Sequence, residues 1–572
     1  MAAPVSITDF KGEIPRRHPR LLPSGFAKRS VNARLTSGRL DGFRRPGLVH
    51  TFGADVNTVF RDGSTWLGFT AETHVVRGPV AQERLYYTQV GETPKMRIGS
   101  TEYELALPGP AAAPTLTALS APDPALINQI VFAYTFVTEF DEESAPSPVS
   151  APLDWSPGVD VRVSGFSAPV ASRGVDRIRL YRSQISALGI TDLYFVAEFA
   201  VATTEHDHDL DAEPLQEVLP SNDYDTPPAG MIGLIALHNG MMAAFEGREL
   251  YFCEPYKPHA WPVRYRLITD FNIVGLAAFG STLAILTEGT PYIAQGSAPE
   301  NMVMERMDSN MPCVSRRGIV DFGYAAAYPS NDGLALITAS GVQLVSRNLF
   351  SQQGWRALKP AQMVAVNHDG RYAFTYGAED LPVIDSGTAG TPSDDVMDGG
   401  TPGLSPSEFI IYNANGVFLQ GAFQSLGFID LTGEQPFFIS TDDEVNIGPV
   451  SLYHHERSGD LFMLDPDLRR VWRFDDPNGP LANYAWRTGE MHFSALQNFG
   501  AILVESDEES LALGDMTITV QAGNREFSFK PTLNVPTRLP GGFLERKWTI
   551  SAEGSIPVTL IAMAVSISDF AT

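Results

Sequence analysis

The sequence predicts an all-β protein: a β-propeller with an inserted fibronectin type III-like β-sandwich and a C-terminal β-sandwich-like domain. Three observations lead there. Helical periodicity is nearly absent along the 572 residues. Short alternating or wholly apolar runs, punctuated by Gly, Asn, Asp and Pro, fill most of the chain. One strand–turn–strand grammar also recurs about every 40–50 residues, the size of a four-stranded propeller blade.

The elements follow in chain order. Residues 1–50 form a basic N-terminal arm. Its stretch "RLLPSGFAKRSVNARLTSGRLDGFRRP" (Arg20–Pro46) is too polar and too broken by Gly and Pro for a core helix. Residues 51–113 are the first propeller part, with "VNTVFRDGSTWLGFTAETHVV" (Val56–Val76) as a blade unit. Residues 114–228 change character. "QIVFAYTFVTEFDEESAPSPVS" (Gln129–Ser150), "VDVRVSGFS", "VDRIRLYRS" and "LYFVAEFAV" are closely spaced strands, as in a small sandwich. Its exit, "EHDHDLDAEPLQEVLPSNDYDTPP", is acidic and Pro-containing and reads as a linker.

Residues 229–485 are the main propeller part. Its units are Gly233–Pro255, Val274–Ser297, Tyr324–Asn348, Met363–Gly377 continuing into Glu408–Gln420, and Pro449–Phe474. With Val56–Val76 they make six candidate blades. A single sheet cannot bury both faces alone, whereas stacked blades can, and they leave only short edges. Residues 379–407 are rich in Gly, Ser, Thr, Asp and Pro and predict a long exposed loop. From about Trp486 the spacing changes again, and 486–572 predict a C-terminal β domain.

Formal net charge is −26, from 67 acidic and 41 basic residues. That favours solubility over nonspecific binding to DNA or an anionic membrane. The charge is uneven. Residues 1–50 hold Lys11, Arg16, Arg17, Arg20, Lys28, Arg29, Arg34, Arg39, Arg44 and Arg45 against Asp9, Glu13 and Asp41. A positive leader on a negative body predicts docking onto an acidic partner or an acidic copy of itself. Cys253 and Cys313 form neither a metal pattern nor a disulfide framework, and read as core thiols made in a reducing compartment. The N-terminus has no apolar core of a signal peptide, and no apolar run reaches the roughly 20 residues that span a bilayer. Assembly in the cytoplasm is the expectation.

Candidate chemistry is thin. In "EHDHD" (Glu205–Asp209) a strand would put His206 and His208 on one face, a partial metal site with no third imidazole nearby. His454 and His455, as strand neighbours, would face opposite sides. "SDDVMD" (Ser393–Asp398) has closely spaced carboxylates but not the full order of a calcium loop. A propeller can carry a two-carboxylate glycosidase site, yet no recurrent Asp motif, G-x-S-x-G, H-E-x-x-H or P-loop stands out. "EPYKPHAWP" (Glu254–Pro262) is a sugar platform or, more simply, a rigid blade-edge turn packing Trp261. No cofactor, metal or catalytic residue is predicted, and the chain does not read as an enzyme.

Taken as an ordered set, several stretches resemble the tail nozzle proteins (tail tubular protein B) of short-tailed bacteriophages. The leader supplies a Leu-Leu-Pro, an Ala-x-x-x-x-Asn-x-x-Leu core, a Ser-Gly-x-Leu turn and a closing Arg-Arg-Pro. "GRELYFCEPYKPHAWP" (Gly247–Pro262) is similar to a blade motif of that family. "RLPGGF" (Arg538–Phe543), with the segment after it, is similar to the family's C-terminal part. The resemblance implies a structural virion protein of the tail, a homo-hexameric ring below the portal and adaptor. It implies contacts with tail fibres or spikes and a gated channel that passes DNA. DNA carries about one charge per 1.7 Å of axis, so an acidic wall would repel it and let it slide. On this reading Arg16, Arg17, Arg20, Lys28, Arg29, Arg34, Arg44 and Arg45 form an assembly interface. Asp380, Asp385, Asp394, Asp395 and Asp398 belong to a candidate gate loop. The alternatives are a carbohydrate-active propeller enzyme of a phage tail and a carbohydrate-binding adhesin. The missing carboxylate motif weighs against the first and the missing signal peptide against the second.

Overall fold

The computed structural model describes residues 5–35, 38–170, 173–185, 191–209, 217–377, 411–412, 418–419, 424–507 and 514–570. The fold is all-β and of propeller type. Among these residues the α-helix is a single short one, Gln352–Ala357. The chain divides into two compact units. Unit 1 is Met1–Thr70, Leu286–Pro291 and Met307–Thr572, and unit 2 is Ala71–Ile285 with Tyr292–Arg306.

Unit 2 contains blade-like antiparallel sheets and a sandwich. The first sheet is Thr73–Arg77, Arg84–Gln89, Lys95–Ile98 and Thr101–Glu104. The second is Ile232–Ala236, Met242–Glu246, Glu249–Phe252 and Leu267–Ile268. The third, which runs from Ile273–Phe279 to Val303–Arg306, has the same four-stranded order. The hairpin Met242–Phe252 shows why the local sequence folds so. Glu246 faces Glu249 across a two-residue loop whose first residue, Gly247, holds φ 59, the positive φ that tight hairpins need.

Residues 242–245 are all buried because both faces of the strand are covered. Ala243 and Phe245 pack with Ile273, Leu283 and Ile285 of the third sheet. Met242 and Ala244 pack with Tyr86 and Met96 of the first. Period-two alternation thus divides one apolar run between two neighbours.

The inserted sandwich has a core of its own. Phe132–Thr138, Val175–Ile185 and Thr191–Ala200 form one sheet, and Thr115–Ala118, Val161–Ser164 and Glu205–His208 another. Ile130, Phe132, Tyr134, Phe136, Val161, Val163, Ile178, Leu180 and Val196 meet between them. The segment predicted as a linker therefore begins as a strand. Glu205–His208 pairs with Val161–Ser164, and Arg162 holds Asp207 at 2.6 Å. Two of the acids that suggested a linker, Glu205 and Asp207, lie on the exposed face of that edge strand.

Unit 1 holds three more blade-like sheets. The fourth is Val320–Asp321, Ala326–Ser330, Gly333–Thr338 and Gly341–Leu344. The fifth is Ala365–His368, Arg371–Gly377, Gln424–Asp430 and Phe437–Ser440. The sixth is Ser451–His455, Asp460–Leu464 and Arg470–Arg473, completed by Gly47–Thr51 from the N-terminal region. Two details differ from the sequence reading. Arg371–Gly377 pairs with Gln424–Asp430, whereas most of the expected continuation at 408–420 lies outside the described residues. The Val56–Val76 unit is split: Thr58–Asp62 and Thr65–Phe69 form a hairpin in unit 1, whereas Thr73 opens the first sheet of unit 2.

The C-terminal strands make two sheets. Ala501–Glu505, Thr537–Arg538 and Leu560–Ala564 form the smaller, with Val5–Ile7 at its edge. Tyr484–Thr488, Glu545–Gly554, Met516–Ala522 and Arg525–Phe529 belong to the larger. That sheet continues through Ala27–Val31 into the fifth blade, so nine strands share one hydrogen-bonded path, and a tenth, Met491–Gln497, pairs with Glu545–Gly554 beside it. The described residues of 1–50, expected as an arm, are thus built into unit 1, to whose sheets Val5–Ile7, Ala27–Val31 and Gly47–Thr51 add strands. Their alternating apolar residues, Ile7, Phe10, Ile14, Phe26, Ala27, Ala33, Leu35, Leu40 and Phe43, are buried in its main core.

Candidate assembly surface

The leader is best read residue by residue, because each part of its motif has a local cause. Phe10 is buried edge-on against Trp486, with ring centroids 4.9 Å apart. The Trp486 indole N–H donates to the Lys11 carbonyl at 2.9 Å. Glu13 exchanges backbone hydrogen bonds with Phe438 of the fifth blade, at 2.7 and 2.9 Å. Its side chain accepts the Ser30 N–H at 2.6 Å. Burial pushes the Glu13 carboxyl up to about 7, against the opposing pull of that hydrogen bond and of nearby Arg29.

Asn32, the asparagine of the Ala-x-x-x-x-Asn-x-x-Leu core, is fully buried at φ 52. Its side-chain amide donates to Asp442 Oδ1 at 2.6 Å and to the Asn483 carbonyl at 2.9 Å. Its side-chain oxygen accepts the Asp442 N–H at 3.0 Å. Asparagine tolerates left-handed backbone and brings both a donor and an acceptor, which the position uses. Gly38, in the Ser-Gly-x-Leu turn, holds φ 76, and a Cβ there would lie 2.8 Å from Asp9 Oδ1. Leu40 bridges Val558 by two backbone hydrogen bonds.

The eight candidate cations fall into two sets. Arg34 pairs with Asp475 at 3.2 Å and Arg45 with Glu444 at 3.2 Å. Arg44 donates to the Gly479 carbonyl at 2.9 Å, while its own N–H binds Asp475 Oδ1 at 2.7 Å. These three hold the leader to its own unit. Arg16 donates to the Arg347 carbonyl and stays exposed. Arg17, Arg20, Lys28 and Arg29 form no ion pair among the described residues, and Arg17, Arg20 and Arg29 are exposed. Arg16–Leu21 is a short turn whose 3-10 segment, Pro19–Leu21, starts where His18 accepts the Arg20 N–H. Leu21 at its end is 69% exposed. The arrangement can bind an acidic surface.

The other sequence candidates are scattered. Asp380, Asp385, Asp394, Asp395 and Asp398, with the Ser393–Asp398 carboxylates, lie outside the described residues. His206 and His208 do share one face, with stacked rings 6.2 Å apart. His206 stacks on Phe199, and His208 is buried beside Phe132. Burial pulls the His208 imidazole down to about 4. Among the described residues no group of three metal-capable side chains occurs. His454 lies half-buried near His368, 6.5 Å between rings, while His455 contacts Ser458 at 2.8 Å. Trp261 in "EPYKPHAWP" is buried, its indole N–H donating to the Pro258 carbonyl at 2.7 Å, as a rigid turn requires. Cys253 and Cys313 are buried and unpaired, and burial pushes both thiols up to about 12.

Sequence reasoning missed Glu13 as a buried carboxyl. The only signal was its place between the apolar Phe10 and Ile14, in a stretch that then read as surface.

No family model and no curated protein matches this chain. Similar solved structures include an ancestral GH74 enzyme, at 10% identity and TM-score 0.26, covering 80% of this chain and 51% of that one. The Cps50 (Swd1) β-propeller domain of Myceliophteria thermophila has 10% identity and TM-score 0.21, covering 51% and 92%. The phage phi92 endosialidase has 11% identity and TM-score 0.22, covering 82% and 95%. This chain spans about half the length of the GH74 enzyme. At such TM-scores these likenesses carry no argument about its sites or activity.

Proposed function

We propose that this chain is a structural subunit of the tail nozzle of a short-tailed bacteriophage. Identical copies, six in the reading the resemblance supports, form a ring below the portal and adaptor in the virion tail. DNA passes through without specific binding, and fibres or spikes attach outside. The observation that carries the reading is the leader. The residues that make up its motif, Asn32, Gly38, Leu40, Arg44 and Arg45, are the ones that tie it into unit 1. Arg16, Arg17, Arg20 and Arg29 remain outward, where a partner can meet them. A net charge of −26 suits a conduit for a polyanion better than a DNA-binding protein.

Imaging purified particles with a label on this chain is the test. The expected result is density at the tail, in symmetric copies around the axis. Particles that lack the chain, or carry it only in the capsid shell, would overturn the reading. The protein is expected to release no reducing sugar from capsule or lipopolysaccharide. Release abolished by one Asp or Glu substitution would replace the nozzle with an enzyme.

A further inference from the structure

The inserted sandwich ends in a surface that its own fold does not use. Loop residues 119–127, "LSAPDPALI", expose Leu119, Leu126 and Ile127 by 45, 55 and 46%. Ala121, Pro124 and Ala125 beside them are also exposed. The loop is nonetheless fixed. The Asp123 N–H donates to Ser156 Oγ at 2.8 Å, the Ala125 N–H to Asp123 Oδ1 at 2.9 Å, and the Leu119 N–H to the Asp160 carbonyl at 2.9 Å. Three large apolar side chains on a preformed loop mark an interaction surface, since unneeded exposure of this kind is a solubility liability.

The rim says what kind of partner fits. From Pro114 to Val161 the chain has no Lys or Arg, and the acids beside the tip are the exposed Asp123, Asp154 and Asp160. Glu139, Asp141, Glu142 and Glu143 instead follow the far end of the Phe132–Thr138 strand, where Asp141, Glu142 and Glu143 pair with Arg177, Arg173 and Arg179. Asp154 faces Gln129 in the strand pair beside Ile127, and Asp160 is tied to Leu119. The tip is therefore an apolar patch with an acidic border. The leader turn is the opposite: an exposed Leu21 among Arg16, Arg17, His18 and Arg20, with no acid from Arg16 to Arg29.

We propose that the leader turn of one copy docks on the sandwich tip of a second copy, Leu21 entering among Leu119, Leu126 and Ile127 while Arg17 and Arg20 face Asp154 and Asp160. The contact is head-to-tail, the kind that closes into rings. It rests on the reading of the chain as a ring subunit and names the surfaces that would join neighbours.

Cysteine cross-linking of the full chain tests it, because both native thiols are buried. A mixture of Leu21→Cys and Ile127→Cys proteins, treated with a short bismaleimide, should give a cross-linked dimer. Neither variant alone should give it. Pairing Leu21→Cys with Ser340→Cys, on an exposed turn of the fourth blade, is the control. The yield should fall about tenfold in high salt, because exposed charge pairs are screened. Asp154→Lys with Asp160→Lys on the tip copy should lower it similarly, and Arg17→Glu with Arg20→Glu on the leader copy should restore it. Asp123 is left unchanged because its carboxylate shapes the loop. An unlinked pair, or one linked no better than the control, overturns the contact. If such copies still enter tails as rings, the contact alone falls and the nozzle stands. A linked pair in a chain absent from tails removes the nozzle and leaves the contact.

Discussion

The leader and the inserted sandwich are held in opposite ways. The sandwich pairs its strands among themselves and closes its own core around Phe132, Val161 and Ile178. The leader has almost no pairing of its own beyond Ala33–Arg34 with Asp41–Gly42. Its other partners lie hundreds of residues away: Met563 for Val5, Trp486 for Ser30, Ser440 for Val31 and Val471 for His50. One segment is a module and the other is a stitch. Local order should therefore survive excision in the first and vanish in the second.

That contrast sets the largest expected effect. Removing residues 1–46 takes four strands, Val5–Ile7, Ala27–Val31, Ala33–Arg34 and Asp41–Gly42, and a string of buried apolar residues out of unit 1. Cooperative unfolding of that unit should disappear, leaving an expanded state with exposed apolar surface. Residues 114–209 expressed alone should keep a single cooperative transition. Circular dichroism melts with dye binding would check both. A truncated chain that melts as sharply as the full one would show that the leader only decorates unit 1.

Single core residues sharpen the comparison. Phe10→Ala leaves a cavity beside Trp486 and should cost about 3–5 kcal/mol, as large aromatic truncations do. Phe132→Ala should cost a similar amount, but in the sandwich. Hydrogen exchange separates them: the first should loosen Tyr484–Thr488 and Phe437–Ser440, the second only strands of the sandwich. A Phe10 variant whose exchange spreads no further than residue 14 would refute the stitch.

Legibility followed the same divide. The sandwich and the blades show in the sequence because strand, turn and partner strand are neighbours, as in Met242–Phe252 with Gly247 between. The fifth blade misled because Arg371–Gly377 finds its partner at Gln424–Asp430, beyond a long insertion, and period two cannot say which run pairs with which. The leader's basic residues were visible, but not their division into Arg34, Arg44 and Arg45, which have partners within unit 1, and Arg16, Arg17, Arg20 and Arg29, which are exposed. Charge content does not reveal which acids, such as Asp475 or Glu444, the fold will bring near. The sandwich tip was missed for a related reason. Nothing in the sequence shows that Leu119, Leu126 and Ile127 will be left without cover.

Asn32 tests the stitch at one atom group. Asn32→Ala loses three hydrogen bonds, strands Asp442 and Asn483, and puts Ala at positive φ, for about 2–4 kcal/mol in unit 1. Asn32→Gly relieves the backbone but not the hydrogen bonds, so it should recover only about 1 kcal/mol. Urea melts of the two variants decide it. Equal losses would mean that left-handed geometry contributes nothing here.

Glu13 gives the smallest effect and a distinct signature. Its carboxyl lies where the leader crosses the fifth blade, and burial raises it from an ordinary value near 4.3 to about 7. The folded state therefore prefers the protonated form. Its stabilising contribution is complete below about pH 4.3, fades as pH rises to about 7 and is absent above. Glu13→Gln is neutral throughout and keeps an oxygen for the Ser30 N–H. Wild type and variant should then match near pH 4, and the variant should be about 1–3 kcal/mol more stable near pH 8. His368 and His454, which burial shifts downward, destabilise the same unit on acidification in both proteins and cancel in the difference. Denaturant melts across that range read it directly. A difference that is constant with pH would place the Glu13 carboxylate in contact with water, and the crossing of leader and blade would then be open rather than sealed.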